Sequence, residues 1–216
     1  IFAETIVLKS GEVTEGRVLE RTSRYIKVDF DGVPLIYFFD DIKTIDGEPV
    51  SVSKSNASTF SSSVKKDPTD IFSDIAPAVV YITCKKAMGG ESSGSGFILT
   101  NSGVIATNYH VVVSNQEINV RLKDGTFYPV NSIIYYDVNR DLCLLKIEAN
   151  GLPFVELGDS DNLKIGEKIY CIGSPLGLEY SLSDGLLSGV RDFQGVKYLQ
   201  FTAPISGGSS GGPLIN

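Results

Sequence analysis

A serine surrounded by glycines lies near the end of this chain, in the segment Gly207-Gly208-Ser209-Ser210-Gly211-Gly212. A serine hydroxyl becomes a nucleophile when a neighbouring base removes its proton, and that base is most often a histidine. The chain contains a single histidine, His110. Glycines on both sides of a serine allow tight turns and bring backbone N–H groups close to a developing oxyanion. The two residues therefore indicate a candidate nucleophile, Ser210, and a candidate base, His110.

A flexible linker is the competing interpretation of the same glycines and serines. Strand-like patterns flank the segment on both sides, at residues 198–201 and 213–215. Because a linker rarely lies inside such a pattern, we interpret the segment as a loop of a folded domain.

The pattern Gly-x-Ser-x-Gly, formed here by Gly208, Ser210 and Gly212, also occurs at the nucleophile of α/β-hydrolases. In that fold the histidine follows the serine in sequence, whereas His110 precedes Ser210. Helical periodicity is nearly absent along the chain, which disfavours an α/β architecture as well. The order histidine, acid, serine is that of chymotrypsin-type double barrels, in which the three residues meet between the barrels.

The acid that would orient His110 is expected between His110 and Ser210. The candidates in that interval are Asp124, Asp137, Asp141, Asp159, Asp161, Asp184 and Asp192. Asp141 is preferred because it stands at the head of the apolar segment 142–147, where a carboxylate can be half-buried at the mouth of a barrel. A role in a turn or at a strand end is the alternative for Asp141, and a purely structural role is the alternative for His110.

The residues around these positions resemble those of the trypsin-like serine proteases of the HtrA/Deg family. His110 lies in Thr107-Asn108-Tyr109-His110-Val111, which is similar to T-[NA]-x-H-V. Asp141 begins Asp141-Leu142-Cys143-Leu144-Leu145-Lys146-Ile147, which is similar to the acid motif D-[LI]-A-[VL]-L-K-[IV], with Cys143 in the alanine place. Ser210 lies in Ala203-Pro204-Ile205-Ser206-Gly207-Gly208-Ser209-Ser210-Gly211-Gly212-Pro213-Leu214, which is similar to A-P-I-N-P-G-N-S-G-G-P-L. The resemblance covers residues 71–216.

This resemblance implies peptide hydrolysis through an acyl-enzyme, with His110 as base, Asp141 as orienting acid and Ser210 as nucleophile. The N–H groups of Gly208 and Ser210 would form the oxyanion hole. Pro204 would lie at the base of the primary specificity pocket and favour small or medium apolar P1 residues. A role in protein quality control and assembly into homo-oligomers are further expectations. Family members continue with more strands after the nucleophile, so the chain is expected to be truncated there.

Short runs rich in Val, Ile, Phe and Tyr, bounded by Gly, Asn, Asp and Ser, predict an all-β protein. The resemblance implies a chymotrypsin-like double β-barrel for residues 71–216, with the second barrel incomplete at its C-terminal end. Short strand patterns in residues 1–50 predict a small SH3-like or Sm-like β-barrel with an interaction role. Residues 51–70 are rich in serine, which predicts a linker.

Charge and composition exclude several classes of partner. A net charge of −7 without a basic stripe argues against binding to nucleic acid or to anionic membranes. No apolar run approaches the roughly 18 residues of a membrane-spanning helix. With one histidine and no Cys-x-x-Cys, neither a metal nor another cofactor is expected.

The three cysteines, Cys84, Cys143 and Cys171, lie in apolar strand patterns. They are expected to be small buried residues, although one disulfide stays open as an alternative. The chain starts with Ile1-Phe2-Ala3-Glu4, which fits the tail of a signal peptide as well as a processed or internal start. We expect export to the periplasm or the exterior.

A serine endopeptidase that acts on polypeptides is the favoured function, with two alternatives. One is a non-catalytic peptide-binding or chaperone-like protein that keeps the protease fold. The other is a protein whose main activity is binding by residues 5–46. A degenerate copy of a protease usually lacks one member of the triad, and none of the three residue types is missing here.

Overall fold

The computed structural model describes residues 3–9, 11, 13–21, 25–30, 33–39, 42–50, 67–86, 89–174, 180–193 and 195–216. The chain divides into two compact units, residues 1–64 and residues 65–216. Both units are built almost entirely of antiparallel strands, so the prediction of an all-β protein is confirmed.

The first unit is a single antiparallel sheet. Its strands are β1 (Glu4–Leu8), β2 (Val13–Arg21), β3 (Tyr25–Phe30), β4 (Val33–Phe38), β5 (Ile42–Ile45) and β6 (Glu48–Pro49), in the order β4-β3-β2-β1-β5-β6. Ile6 and Leu8 of β1 and Ile26 and Val28 of β3 are alternate residues that point to one side. They form a core together with Ile42 and Ile45, the two ends of β5. Asp31-Gly32, a dipeptide whose composition predicts a hairpin turn between β3 and β4, lies outside the described residues. The SH3-like or Sm-like identity of this unit stays a prediction.

The second unit begins with the helix α1 (Pro68–Ile75) and a short 3₁₀ helix, Ala76–Ala78. Asp67 caps α1 by accepting a hydrogen bond from the Thr69 N–H, and proline occupies the first turn, where its missing N–H costs nothing. The serine-rich segment predicted as a linker extended to Asp70, whereas this helix already begins at Pro68. The reason is the Asp-Pro pair, which is a turn signal and equally a helix start.

A seven-stranded antiparallel sheet follows in the second unit. It consists of β7 (Val79–Lys86), β8 (Glu91–Ile98), β9 (Val104–Thr107), β10 (Asn115–Arg121), β11 (Phe127–Pro129), β12 (Ser132–Asp137) and β13 (Leu142–Lys146). The strand order is β11-β10-β7-β8-β9-β13-β12, and a one-turn helix α2 (Tyr109–Val112) lies between β9 and β10. Its core is formed largely by buried Val, Ile and Leu side chains, including Val80, Ile82, Ile98, Ile105, Leu145 and Ile147.

A four-stranded antiparallel sheet completes the second unit. It contains β14 (Lys168–Gly173), β15 (Ser181–Phe193), β16 (Val196–Phe201) and β17 (Leu214–Ile215), in the order β16-β15-β14-β17. Ile169, Leu187 and Ala203 form its buried core. The segment 202–213 connects β16 to β17, so the predicted nucleophile lies in a loop between two strands of this sheet.

Candidate active site

His110 and Asp141 are brought together by the pairing of β9 with β13. Thr107, the last residue of β9, lies opposite Cys143 near the start of β13. The chain that continues from Thr107 into α2 therefore passes beside the residues that precede β13. Antiparallel register thus places two residues 31 positions apart in sequence at the same end of the sheet.

Asp141 holds both the backbone and the ring of His110. Its Oδ1 accepts a hydrogen bond from the His110 backbone N–H at 2.8 Å, and its Oδ2 lies 2.6 Å from His110 Nδ1. An ionised carboxylate can only accept hydrogen bonds, so Nδ1 carries the proton in this arrangement. The lone pair of Nε2 is then available to take a proton from another group.

The backbone of Asp141 is held as tightly as its side chain. Its carbonyl oxygen accepts hydrogen bonds from the Tyr109 N–H at 3.1 Å and from Asn108 Nδ2 at 2.8 Å. Asp141 also has a positive φ of 52°, a conformation that aspartate tolerates better than most residues. This backbone points the carboxylate at α2 instead of along the strand.

Asp137, one of the other acid candidates, forms the turn before Asp141. Its carboxylate accepts hydrogen bonds from the backbone N–H groups of Asn139 and Arg140 and from the Arg140 guanidinium, the last at 2.8 Å. Burial by itself would raise the pKa of Asp137, but these donors outweigh it and lower the pKa. Asp137 is therefore a turn residue that supports Asp141.

The remaining acid candidates are engaged away from His110. Asp124, Asp159 and Asp192 accept backbone hydrogen bonds in their own turns, from Thr126, Asp161 and Gly195, while Asp161 and Asp184 pair with Lys197 and Lys168. Among the seven aspartates, Asp141 is the one that contacts the histidine.

The loop that carries Ser210 is anchored to β8. The Ser95 N–H donates to the Ser210 carbonyl oxygen at 2.7 Å, and Ser95 Oγ donates to the Gly208 carbonyl oxygen at 2.7 Å. A Cβ atom on Gly94 would lie 2.7 Å from Val111 Cγ2 and 3.1 Å from the Ser210 carbonyl oxygen. The residue after His110 and the candidate nucleophile thus approach the same glycine.

Ser210 is half-buried, whereas the side chains of His110 and Asp141 are 56% and 41% exposed. Within the described residues, no hydrogen bond joins Ser210 Oγ to His110. Such bonds are commonly long in the absence of substrate and tighten when it binds.

The two N–H groups assigned to the oxyanion hole lie in the same loop. Ser209 N–H donates to the Ser206 carbonyl oxygen and Gly212 N–H donates to that of Ser209, each at 3.0 Å. In the part of the chain that the structure describes, the N–H groups of Gly208 and Ser210 have no such backbone acceptor. The predicted oxyanion hole requires N–H groups of this kind.

Pro204, the residue assigned to the specificity pocket, is exposed. It follows Ala203, which is buried against β15, and precedes Ile205, whose side chain is 65% exposed. The segment 203–205 thus passes from the core of the second sheet to the surface before it reaches the candidate nucleophile.

The cysteines take no part in this site. All three are free thiols; Cys84 and Cys143 are buried as expected, while Cys171 is half-buried. Burial raises the pKa of Cys84 and of Cys143 to about 11, so both thiols are protonated at neutral pH. Across the described residues, no group of three or more His, Cys, Asp or Glu side chains is arranged to hold a metal ion.

The sequence analysis did not identify the roles of three residues of this site. Ser95 anchors the loop that carries Ser210, Asn108 donates to the Asp141 carbonyl oxygen, and Asp137 holds the turn before Asp141. Ser95 offered a signal, because a serine between two glycines is unusual in the middle of a buried strand. Asn108 and Asp137 offered none, since hydrogen-bonding side chains before a helix or in a turn are common.

A sequence profile described as a trypsin-like peptidase domain matches residues 94–216, a range that includes His110, Asp141 and Ser210. A probable periplasmic serine endoprotease of DegP-like type from Pseudomonas fulva is 45% identical over 130 residues, which are 58% of this chain and 27% of that relative. The chain therefore spans about a quarter of the length of the curated relative.

Solved structures agree with this match. The HtrA-type protease AlgW with a tripeptide superimposes with a TM-score of 0.65 and 31% identity, over 70% of this chain and 51% of that one. Deg5 superimposes with a TM-score of 0.60 and 34% identity, over 68% of this chain and 78% of that one. The predicted chymotrypsin-like fold and the predicted HtrA/Deg resemblance are thus confirmed. The chain belongs to the trypsin-like peptidases of HtrA/Deg type.

Proposed function

We propose that this chain is a serine endopeptidase with a triad of His110, Asp141 and Ser210. The observation that carries the proposal is the contact of 2.6 Å between Asp141 Oδ2 and His110 Nδ1, which leaves Nε2 as a base. The approach of Ser210 and of the residue after His110 to the same glycine supports Ser210 as the nucleophile. The relatives named as serine endoproteases support the same reaction.

In this reaction Ser210 Oγ attacks the carbonyl carbon of a peptide bond while His110 Nε2 takes the hydroxyl proton. The N–H groups of Gly208 and Ser210 bind the negative oxygen of the tetrahedral intermediate. His110 then protonates the leaving amine, and the C–N bond breaks to give an acyl-enzyme. Water attacks that ester, His110 takes its proton, and the new carboxyl group leaves as Ser210 regains its hydrogen.

The substrates in this proposal are polypeptides with a small or medium apolar P1 residue. Pro204 supports this preference because it offers no carboxylate to pair with a substrate lysine or arginine. Profiling a peptide library with the enzyme would test it, and dominance of basic P1 residues would refute it.

Export and self-association belong to the same proposal. The Pseudomonas fulva relative is named periplasmic, which supports export of this chain to the periplasm. A role in protein quality control and assembly into homo-oligomers stay predictions from the family resemblance. Sedimentation velocity of the purified protein would test the assembly. No helix among the described residues has the length and apolarity to cross a membrane.

A serine-directed fluorophosphonate tests the catalytic assignment. We expect a covalent adduct on the peptide that contains Ser210, and no adduct in the Ser210→Ala variant. Ser188→Ala is a matched control, because it removes a hydroxyl whose partner, among the described residues, is the Gln200 carbonyl oxygen in the hairpin of β15 and β16. Labelling that survives Ser210→Ala would refute the assignment.

The alternative of a non-catalytic peptide-binding or chaperone-like protein is not favoured, because the relatives are serine endoproteases. For residues 1–50 we propose a small interaction barrel of SH3-like or Sm-like type. Its separate buried core of Ile6, Ile26 and Ile42 supports a unit that folds around its own interior.

A further inference from the structure

Ser95 is a fully buried serine in the middle of β8, where it pairs with Tyr81 of β7. Buried hydroxyl groups in a sheet are uncommon, because each must find hydrogen-bond partners inside the protein. We propose that Ser95 is a positioning residue that holds the nucleophile loop, residues 207–212, in its reactive conformation. This inference rests on the proposed function, since it assigns a role around the proposed nucleophile.

Both polar ends of Ser95 point to the nucleophile loop. Its backbone N–H donates a hydrogen bond to the Ser210 carbonyl oxygen, and its hydroxyl donates one to the Gly208 carbonyl oxygen, each at 2.7 Å. These carbonyls belong to the peptide planes 208–209 and 210–211. The peptide plane 209–210, which carries the Ser210 N–H, lies between these two hydrogen-bonded peptide planes. One residue thus fixes the orientation of an N–H group proposed to bind the oxyanion.

Two further hydrogen bonds of Ser95 connect the nucleophile loop to the four-stranded sheet and to the seven-stranded sheet. Its Oγ accepts a hydrogen bond at 2.9 Å from the N–H of Ser174, a fully buried residue directly after β14. Its carbonyl oxygen accepts one at 2.7 Å from Oγ1 of Thr107, three residues before His110. The hydroxyl therefore acts as donor and acceptor at once, and no water is needed to satisfy it.

The packing around Ser95 leaves little room for the loop to move. A Cβ atom on Gly211 would lie only 2.2 Å from the Ser95 carbonyl oxygen and 2.4 Å from Thr107 Oγ1. The Gly211 backbone therefore packs closely against β8, the strand whose Ser95 N–H donates to the Ser210 carbonyl oxygen. Loss of the hydroxyl would release the Gly208 carbonyl oxygen and remove the Ser95 acceptor of the Ser174 N–H.

The test compares Ser95→Ala with the parent protein and with Ser93→Ala, which makes the same change two residues earlier on β8. We expect the maximal rate of fluorophosphonate labelling to fall by about tenfold or more in Ser95→Ala, because the Gly208 carbonyl oxygen loses its donor and the Ser174 N–H loses this acceptor. The pH midpoint of labelling should stay unchanged, because the contact between His110 and Asp141 is untouched. Hydrogen–deuterium exchange should become faster in residues 207–212 and not in residues 104–112.

Each outcome decides the proposal. Labelling of Ser95→Ala at the parent rate would overturn it, and so would unchanged exchange in the nucleophile loop. Faster exchange throughout the seven-stranded sheet would overturn it in favour of a general packing role. If Ser95→Ala does not fold, Ser95→Cys replaces the hydroxyl by a slightly larger thiol that forms weaker hydrogen bonds. It is expected to show the same changes to a smaller degree. An unlabelled parent would refute the proposed function, whereas the exchange comparison would still decide the role of Ser95.

Discussion

One carboxylate, that of Asp141, holds His110 through both its backbone N–H and its ring, so the effect of a single-atom change at Asp141 can be derived. In Asp141→Asn, Oδ1 can still accept the His110 backbone N–H, so the position of α2 should be kept. The amide nitrogen would then face Nδ1, and two donors cannot bond to each other. The ring would shift its proton to Nε2, which could no longer take the proton of Ser210.

We therefore expect Asp141→Asn to slow fluorophosphonate labelling by about a thousandfold or more with little loss of stability. Asp184→Asn is the control, since Asp184 forms an exposed pair with Lys168. Rates of labelling, measured by mass spectrometry, and thermal unfolding of both variants check the expectation. A parent-like rate in Asp141→Asn would remove Asp141 from the proposed triad.

The turn between β12 and β13 depends on Asp137, whose side chain is only 14% exposed. Asp137→Ala removes all its acceptors, whereas Asp137→Asn keeps an acceptor for the Asn139 and Arg140 N–H groups and loses the charge and the bond to the Arg140 guanidinium. We expect Asp137→Ala to lower the free energy of unfolding by about 1 to 3 kcal/mol and to slow labelling, because Asp141 follows this turn. Asp137→Asn should be milder in both respects, as urea unfolding would measure.

The turn should also respond to acid in a defined direction. The pKa of Asp137 is lowered from its ordinary 3.8 by the hydrogen bonds of the turn. The unfolded chain then binds this proton more readily than the folded chain, so the stabilisation is complete well above pH 3.8 and is lost as pH falls through the lowered pKa. The difference in stability between the parent and Asp137→Asn should shrink in that acid range. A difference that stays constant down to the lowest pH would contradict this role.

The connection from β16 to β17 requires a glycine at position 211. Gly211 has a φ of 86°, and a Cβ atom there would meet the Ser95 carbonyl oxygen and Thr107 Oγ1. Gly125 has a similar φ of 89° with nothing within 4 Å of a Cβ atom, so it is a matched control. Gly125→Ala should cost about 1 to 2 kcal/mol from backbone strain alone.

Gly211→Ala should cost about 1 to 3 kcal/mol more than the control, because the methyl group also displaces packed atoms. It should abolish labelling as well, since Ser210 is the preceding residue. Thermal unfolding and labelling of the two variants provide the comparison. Equal losses of stability would show that the loop does not press against β8.

The segment between the strands of the two units is predicted from its composition to be a linker. The predicted linker, residues 51–70, overlaps α1 from Pro68 onward. Its serine-rich part before α1 has the composition of a flexible connection and contains Lys54, Lys65 and Lys66. Brief treatment with trypsin should therefore cut first at these lysines and release a fragment that retains the strands β7 to β17. Intact mass measurement identifies the first cuts, and initial cleavage within a described strand would refute the linker.

Much of the fold could be predicted because its signals are local. Alternation in Tyr25–Phe30 and the apolar run at Leu142–Lys146 mark strands by their own residues. The six-stranded sheet of the first unit and the strand order of the second could not be read in this way. Register and strand order depend on contacts between residues far apart in sequence, and a single sequence does not contain those distances.

Residue types and their order in the chain were enough to nominate His110, Asp141 and Ser210 and to exclude an α/β-hydrolase. The place of Asp141 at the head of an apolar segment favoured it over Asp137, and the family resemblance decided between the candidates. The structure separates them: Asp141 bonds to His110, while Asp137 bonds to its own turn. Ser95 is a similar case, since its partners Ser210, Gly208 and Ser174 lie far along the chain. The sequence shows which side chains can donate, accept or transfer a proton. Only the folded structure decides which partner each of them meets, because the partners are brought together from distant parts of the chain.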